Sequence, residues 1–326
     1  MRFSVVIPVY NVKEYLEKCV DSVLAQDTAD YEMILVDDGS TDGSGALCDT
    51  IAARRPECIR VIHKPNGGLG DARNVGLAHA QGDYLVFLDS DDYIASTMLS
   101  ELSEQIDRFQ PEILTFGFRY DDNGTISEPV VEDLPSERVF SAKELPRCLI
   151  GTPSACLRIY ARKLFLDTGI RYPSRVWYED LRTTWKLYVQ AERILCVPKA
   201  YYYYVQRDNS IMHQPNLERN REIIDAMEDL LQYFKKNGMY ETYRDELCWL
   251  TISNVFWYAA VRVLKVDSKH PLLREFRSYI DQRFPDFRNN PYLADMPKER
   301  RLTYQLLLHR QYRLLAKLFR MKSRLK

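Results

Sequence analysis

The sequence predicts an α/β fold: a mostly parallel central sheet with helices on both faces, followed by a helical C-terminal region. Three observations lead there. Short apolar runs and amphipathic segments alternate as β-α-β-α-β-α-β as far as Leu88, an order that calls for parallel strands joined by crossover helices. The run Tyr84 to Leu88 is continuously apolar instead of alternating, as in a strand buried on both faces. After about Leu217 the strand signals stop and helical periodicity continues to the chain end.

Phe3 to Val9 is the first strand, and Val12, Tyr15, Leu16, Cys19, Val20, Val23 and Leu24 then mark one face of a helix. Asn11 is its expected N-cap, with Glu14 as capping-box partner. Tyr31 to Val36 is the second strand, followed by the turn Asp37-Asp38-Gly39-Ser40-Thr41-Asp42-Gly43 and a helix to about Arg55. Ile59 to His63 leads into the loop Asn66-Gly67-Gly68-Leu69-Gly70 and a helix from about Asp71 to Ala80. The strand Tyr84 to Leu88 ends in Asp89-Ser90-Asp91-Asp92.

Further on, Ile113 to Tyr120 is a strand, and Asp121 to Pro146 an irregular excursion with a hairpin. Cys156 to Tyr160 and Ile194 to Val197 are strands around a helix that begins near Glu179, and Tyr201 to Tyr204 alternate across a strand. The C-terminal helices break near Gly238, at His270-Pro271 and over Asn289 to Pro297, and the domain boundary falls near Gln214 to Asn216.

A chain of 326 residues suits one large domain with an appendage, or two domains. A net charge of −1 offers no general attraction to nucleic acid, so none is expected as a partner. The seven cysteines are scattered without a C-x-x-C pair, which suits reduced thiols in a cytoplasmic protein and no zinc site. Pro8 interrupts the first apolar run, which is too short for a signal peptide, and no 18-residue apolar span is evident. From Arg300 to Lys326 there is no acid, while Leu306, Leu307, Leu308, Tyr312, Leu314, Leu315, Leu318 and Phe319 interleave with Arg310, Arg313, Lys317, Arg320, Lys322 and Arg324. That tail reads either as a packed helix with a solvated basic face or as a peripheral anchor on anionic lipid.

In parallel sheets ligands sit beyond the carboxyl ends of the strands. Four motifs converge there. Three acids in four positions after the fourth strand suit a hard divalent cation carrying phosphate oxygens; the alternative is a solvated acidic turn. One acid of Asp37-Asp38 caps the next helix, and the other is placed to accept a hydrogen bond from a base edge. The glycine loop permits close backbone approach or is a plain turn, and Arg73-Asn74 in the first turn of a helix favours phosphate or ribose. Glu179-Asp180, opening a later helix, either complement its dipole or include a general base.

Together, Val6-Ile7-Pro8-Val9-Tyr10-Asn11, Val36-Asp37-Asp38-Gly39-Ser40-Thr41-Asp42, Asn66-Gly67-Gly68-Leu69, Ala72-Arg73-Asn74 and Leu88-Asp89-Ser90-Asp91-Asp92 resemble a family 2 glycosyltransferase of the GT-A type, of the kind that builds bacterial surface polysaccharides. Gly70 is a departure, since such proteins often carry Ser there.

The resemblance implies a GT-A catalytic domain over 1–214, with a nucleotide-sugar part over 1–110 and an acceptor-side part over 111–214, then a helical region over 215–326. It implies a nucleoside-diphosphate sugar donor, commonly a UDP-sugar. Pro8, Val9, Tyr10 and Asn11 would line the base, and Asp38 would read its edge, with Gly67, Gly68, Arg73, Asp89 and Ser90 nearby. Asp91 or Asp92 would hold Mn²⁺ or Mg²⁺, with His213 as a third ligand, and Arg207 and Ser210 would close over the diphosphate. Asp180 would be the base, with Glu179 in support, in a single inverting displacement onto a glycan or lipid-linked acceptor. The expected location is the cytoplasm, peripherally on the inner face of the membrane.

A catalytically silent nucleotide-sugar or glycan-binding assembly subunit is the rival; the intact acids argue against it. A sugar nucleotidyltransferase would need a Gly-rich basic loop where Val9-Tyr10-Asn11-Val12 stands.

Overall fold

The computed structural model describes residues 1–206 and 216–323, which fall into two compact units, Met1–Asp208 and Asn209–Lys326. Strands β1 (Phe3–Val9), β2 (Tyr31–Asp37), β3 (Ile59–His63) and β4 (Tyr84–Phe87) run parallel in the order β3-β2-β1-β4. Helices α1 (Lys13–Leu24), α2 (Ser44–Arg54) and α3 (Leu69–His79) supply the crossovers. All seven residues of β1 and of β2 are buried, as in strands covered on both faces, and Ser4 and Glu32 within them satisfy each other by a hydrogen bond at 2.7 Å.

Pro8 shapes the site from within β1. Leu88 donates its N–H to Val6 at 3.0 Å, so the next ladder donor on that side would be the N–H of residue 8. Proline has none. The pairing with β4 therefore ends at Val6↔Phe87, and Leu88 to Asp92 leave the sheet as a turn.

That turn leads to β5 (Tyr93–Ile94), α4 (Met98–Phe109), β6 (Ile113–Asp122) and β7 (Thr125–Ile126). β8 (Arg158–Ala161), α5 (Arg162–Thr168), α6 (Glu179–Tyr188) and β9 (Ile194–Val205) complete the unit. Here the sheet is mixed, where a mostly parallel one was expected. β8 lies antiparallel between β4 and β6, β9 is parallel to β6, and β5 closes the far edge antiparallel to β9. Between β7 and β8 the chain forms only short 3₁₀ turns at 146–150 and 155–157. With no crossover helix there, the returning strand enters antiparallel.

The second unit is helical: α7 (Leu217–Lys236), α8 (Arg244–Thr251), a π-helical stretch (Ile252–Ala259), α9 (Ala260–Val266), α10 (Leu272–Arg283), α11 (Lys298–Leu308) and α12 (Tyr312–Ser323). The run Arg244–Val266 is long and apolar enough to cross a membrane, a span that the sequence pattern did not reveal, but 67% of its apolar window is buried within the protein. Leu247, Leu250, Val255, Phe256, Ala259 and Val263 are the reason, since each is at most 2% exposed. A helix apolar on all sides is what the centre of a bundle needs. All seven cysteines are free, and six are buried.

Candidate active site

At the end of β1, Pro8 and Val9 are buried while Tyr10 is 50% exposed. Asn11 takes a left-handed conformation (φ 52°), and its side chain accepts a hydrogen bond from the Thr41 N–H at 2.8 Å. Asn11 is therefore not the cap of α1. Helix α1 is held from the neighbouring turn instead: the Val12 N–H donates to Ser44 Oγ at 3.0 Å and the Lys13 N–H to Asp42 Oδ2 at 3.1 Å. The first two strand ends are thereby stitched together.

Asp38 is 3% exposed. Its carboxylate accepts the N–H groups of Gly67 and Gly68, both at 2.8 Å, and the ammonium of Lys64. The glycine loop thus turns these two amides inward onto Asp38, and three of the carboxylate's roughly four lone-pair sites are filled. Lys64, which bridges on to Asp71 at 2.7 Å, was not singled out from the sequence. Its only signal is its place directly after β3.

Gly68 starts α3 with φ 88°. At Gly70 a side chain would put its Cβ 2.3 Å from the Pro173 carbonyl oxygen. The 172–175 segment lies directly on this helix. Asn74 clamps that segment, donating to the Tyr172 carbonyl at 2.7 Å and accepting its N–H at 3.0 Å.

Arg73 is the centre of the site. It is 1% exposed, and its guanidinium donates to Asp89 Oδ1 at 3.0 Å, Glu179 Oε1 at 3.0 Å and Asp180 Oδ1 at 2.5 Å. The sequence placed Arg73 beside ribose or diphosphate; in the structure it faces three carboxylates. Asp180 Oδ2 accepts the Ala155 N–H at 3.0 Å. Arg158, fully buried, fixes that stretch by donating to the Ser154 carbonyl and the Tyr188 hydroxyl, both at 2.7 Å. Neither Ala155 nor Arg158 was singled out from the sequence: Ala155 acts through its backbone N–H, which leaves no trace in residue type, and Arg158 stands in no motif.

Burial, then the neighbouring Asp180 carboxylate, pushes Glu179 up to about 7. Asp180 is also pushed up by burial, against the opposing pull of Arg73. Two adjacent acids in a dry site disfavour double ionisation, and the guanidinium is what offsets it.

Asp89 and Asp91 are half-buried, and Ser90 is buried. Asp92 is 3% exposed, with one oxygen accepting the Val205 N–H at 2.8 Å and the other the Tyr202 hydroxyl. Burial, then Asp89, pushes Asp92 up to about 7. Among the described residues no group of three or more His, Cys, Asp or Glu is arranged to hold a metal ion. The hard carboxylates at the end of β4 do suit Mg²⁺ or Mn²⁺, which take few protein ligands and complete their shell with water and phosphate oxygens. Arg207, Ser210 and His213 lie outside the described residues.

The family model "Glycosyl transferase family 2" matches residues 4–168. The chain is 33% identical over 219 residues to the uncharacterized glycosyltransferase EpsJ of Bacillus subtilis, covering 65% of this chain and 63% of that one. It is 31% identical over 216 residues to the poly(ribitol-phosphate) beta-N-acetylglucosaminyltransferase TarS of Staphylococcus aureus, covering 65% of this chain and 37% of TarS. The chain thus spans less than two thirds of the length of either. A crystal structure of TarS residues 1–349 in complex with UDP-GlcNAc superposes with a TM-score of 0.65 at 24% identity, over 99% of this chain and 92% of that one. The fold is shared over nearly the whole chain, the helical C-terminal region included.

Proposed function

The chain belongs to glycosyl transferase family 2, and on that premise we propose that it moves a sugar from a nucleoside-diphosphate sugar, a UDP-sugar, to a hydroxyl of a surface glycan or lipid-linked acceptor, with inversion. One observation carries the reading most: Asp89 at the donor-side strand end and Asp180 at the start of α6 meet on a single buried guanidinium. That spacing leaves donor and acceptor chemistry side by side. The UDP-GlcNAc bound by TarS and the beta-linked transfer in that relative's name support the same class.

In this reading Tyr10, half-exposed above buried Pro8 and Val9, offers its ring to the base, with Asn11 holding the strand end. Asp38, Gly67 and Gly68 shape the floor beneath it. Asp89 and Ser90 face the ribose and diphosphate, for which Arg207 and Ser210, outside the described residues, are further candidate contacts. The acceptor oxygen attacks the anomeric carbon as the bond from that carbon to the diphosphate oxygen breaks, and the electron pair leaves with the nucleoside diphosphate. Asp180 takes the acceptor's proton, and Glu179 supports the acceptor side. Attack opposite the leaving group inverts the centre, so an α-linked donor yields a β-glycoside.

Asp91 or Asp92 would hold Mn²⁺ or Mg²⁺, with His213 as the further candidate. Asp92, whose two oxygens are already hydrogen-bonded, anchors the turn. The bound cation would neutralise charge gathering on the diphosphate. Residues 1–110 form the donor part and 111–214 the acceptor part. An exposed apolar and basic face on α12 suits peripheral contact with anionic lipid, on the side where a lipid-linked acceptor is presented.

Calorimetric titration with a panel of nucleotide sugars, with and without Mn²⁺, followed by transfer assays, tests the whole. One UDP-sugar should bind in a metal-dependent way. Asp91→Ala should lose that dependence, while Asp180→Asn should bind donor normally and transfer about 10²–10⁴-fold more slowly. Wild-type transfer rates in Asp180→Asn would remove the base assignment. A folded protein that binds no donor would favour a silent assembly subunit.

A further inference from the structure

Resting on that reading, we propose that Arg73 is a positioning residue for the base and not a ligand for the donor's phosphates: it holds Asp180 toward the acceptor and ties that orientation to Asp89 on the donor side.

The geometry of the guanidinium is the first argument. Three of its N–H groups are committed to Asp89, Glu179 and Asp180, and Nε is buried with no hydrogen-bond partner. The Tyr172 ring lies 5.3 Å from the guanidinium carbon. To reach a phosphate, Arg73 would have to abandon carboxylates in a dry setting, which leaves them uncompensated.

The second argument is orientation. Helix α6 begins after Tyr178, which is left-handed (φ 63°) and whose side chain accepts no capping hydrogen bond. Both donors that aim Asp180 come from elsewhere: Arg73 on α3, and the Ala155 N–H just before β8. Each fills one site on its oxygen, and each oxygen keeps a second lone pair for an acceptor hydroxyl.

The third argument is charge during turnover. A base must pass from anionic to neutral, and a buried cation whose sole partner did so would be stranded. Arg73 has two further carboxylates, so protonation of Asp180 leaves it compensated. The charged and titratable groups that face Asp180 are Arg73, Asp89, Glu179 and Arg158, with the Tyr160 and Tyr172 hydroxyls behind. Among the described residues that face it, Arg73 is the cation in direct contact with the carboxylate.

The test uses the full chain with Arg73→Lys, which keeps the charge and loses the fork. Its kcat should fall about 10²-fold, as misplacement of a reacting group does, while donor affinity measured by calorimetry changes less than about threefold. The acid limb of the kcat profile should move to higher pH by about one unit. In an Asp180→Asn background the same change should alter the residual rate less than about threefold, because both act through one group.

A readout independent of turnover is the ¹³C-carboxyl signal of Asp180, assigned by its loss in Asp180→Asn. It should titrate at higher pH in Arg73→Lys and at lower pH in Asp89→Asn, which removes a neighbouring negative charge. A tenfold loss of donor affinity with an unmoved Asp180 titration would overturn the proposal in favour of a phosphate ligand. Should Arg73→Lys fail to fold, an unmoved signal in Asp89→Asn overturns it equally. If the wild type transfers no sugar, the function is refuted while the carboxyl titrations still decide what Arg73 does.

Discussion

Gly70 shows how a single missing Cβ can report on a site. Its place in α3 brings the Pro173 carbonyl oxygen to 2.3 Å from where a Cβ would stand, and the Tyr172 Cβ to 3.1 Å. That contact seats the 172–175 segment whose backbone Asn74 clamps, and Tyr172 in turn lies against Arg73. Helix propensity alone favours Gly70→Ala by up to about 1 kcal/mol. The clash acts in the opposite direction, and overpacking of this kind costs about 1–3 kcal/mol. Because backbone and not a flexible side chain is the obstacle, the clash wins. Gly70→Ala should lower the melting temperature, and the Arg73 cluster should be disturbed with it; a variant as stable as wild type would mean that the segment yields freely. From the sequence, the glycine loop was visible as a motif, but the reason for Gly70 was not. It lies about a hundred residues away in the chain, and no local pattern encodes it.

At the scale of elements, the strand ends are held by pairs that cross between them. His63 at the end of β3 joins Asp37 at the end of β2 (2.9 Å) and Asp49 on α2 (3.0 Å), while Asp37 Oδ1 accepts the Ser40 N–H at 3.0 Å. The hydrogen bond to Asp37, then that to Asp49, raises His63 above its ordinary value. Burial works upward on Asp37, but hydrogen bonds from Ser40 and His63 outweigh it and hold that acid low. A raised histidine stabilises the fold fully below its unfolded value of about 6.5 and loses that contribution as pH rises through the folded value. A lowered aspartate contributes above about 3.9 and loses it as pH falls through the folded value. The window in which both contribute is therefore mildly acidic. Thermal melts of His63→Gln should lose the part of the wild-type decline that falls between about pH 6 and pH 8. Identical slopes would show that the pair carries no pH dependence. The same crossing explains what the sequence concealed. Asn11 with Glu14 has the pattern of a local capping box, yet α1 is capped by Asp42 and Ser44 from the next turn. The first four strands and three helices were legible because each is a local period. β5 and α4 were missed, and the antiparallel course of β8 was hidden, because pairing partners are not written in a strand's own residues.

For the whole molecule, every described residue of the proposed transfer site lies within residues 1–206, which leaves the helical unit to be accounted for. Its last helix gives the clearest indication. On α12, Leu314 (47% exposed), Leu318 (38%) and Met321 (53%) recur at intervals that share one face, and Leu302 on α11 is 59% exposed. Arg313, Lys317 and Arg320 are exposed beside them, while Leu315 and Ala316 are buried and secure the helix to its unit. The two sequence-level readings of the tail are thus compatible: one face packs, and the opposite face is apolar with a basic flank. Such a face gains from inserting its apolar row and from anionic headgroups, the latter worth about 1 kcal/mol per basic residue near the surface. Sedimentation with vesicles containing anionic phospholipid should bring the wild type down at low salt and less of it at high salt, since exposed charges are screened within about 10 Å at 0.1 M. Leu314→Glu with Leu318→Glu should cut that partitioning by at least about tenfold through lost apolar burial, while the exposed positions leave donor affinity and melting temperature unchanged. Equal partitioning of the double variant would leave this face a solvated surface, and a lipid-linked acceptor would then have to be met by the transfer unit alone.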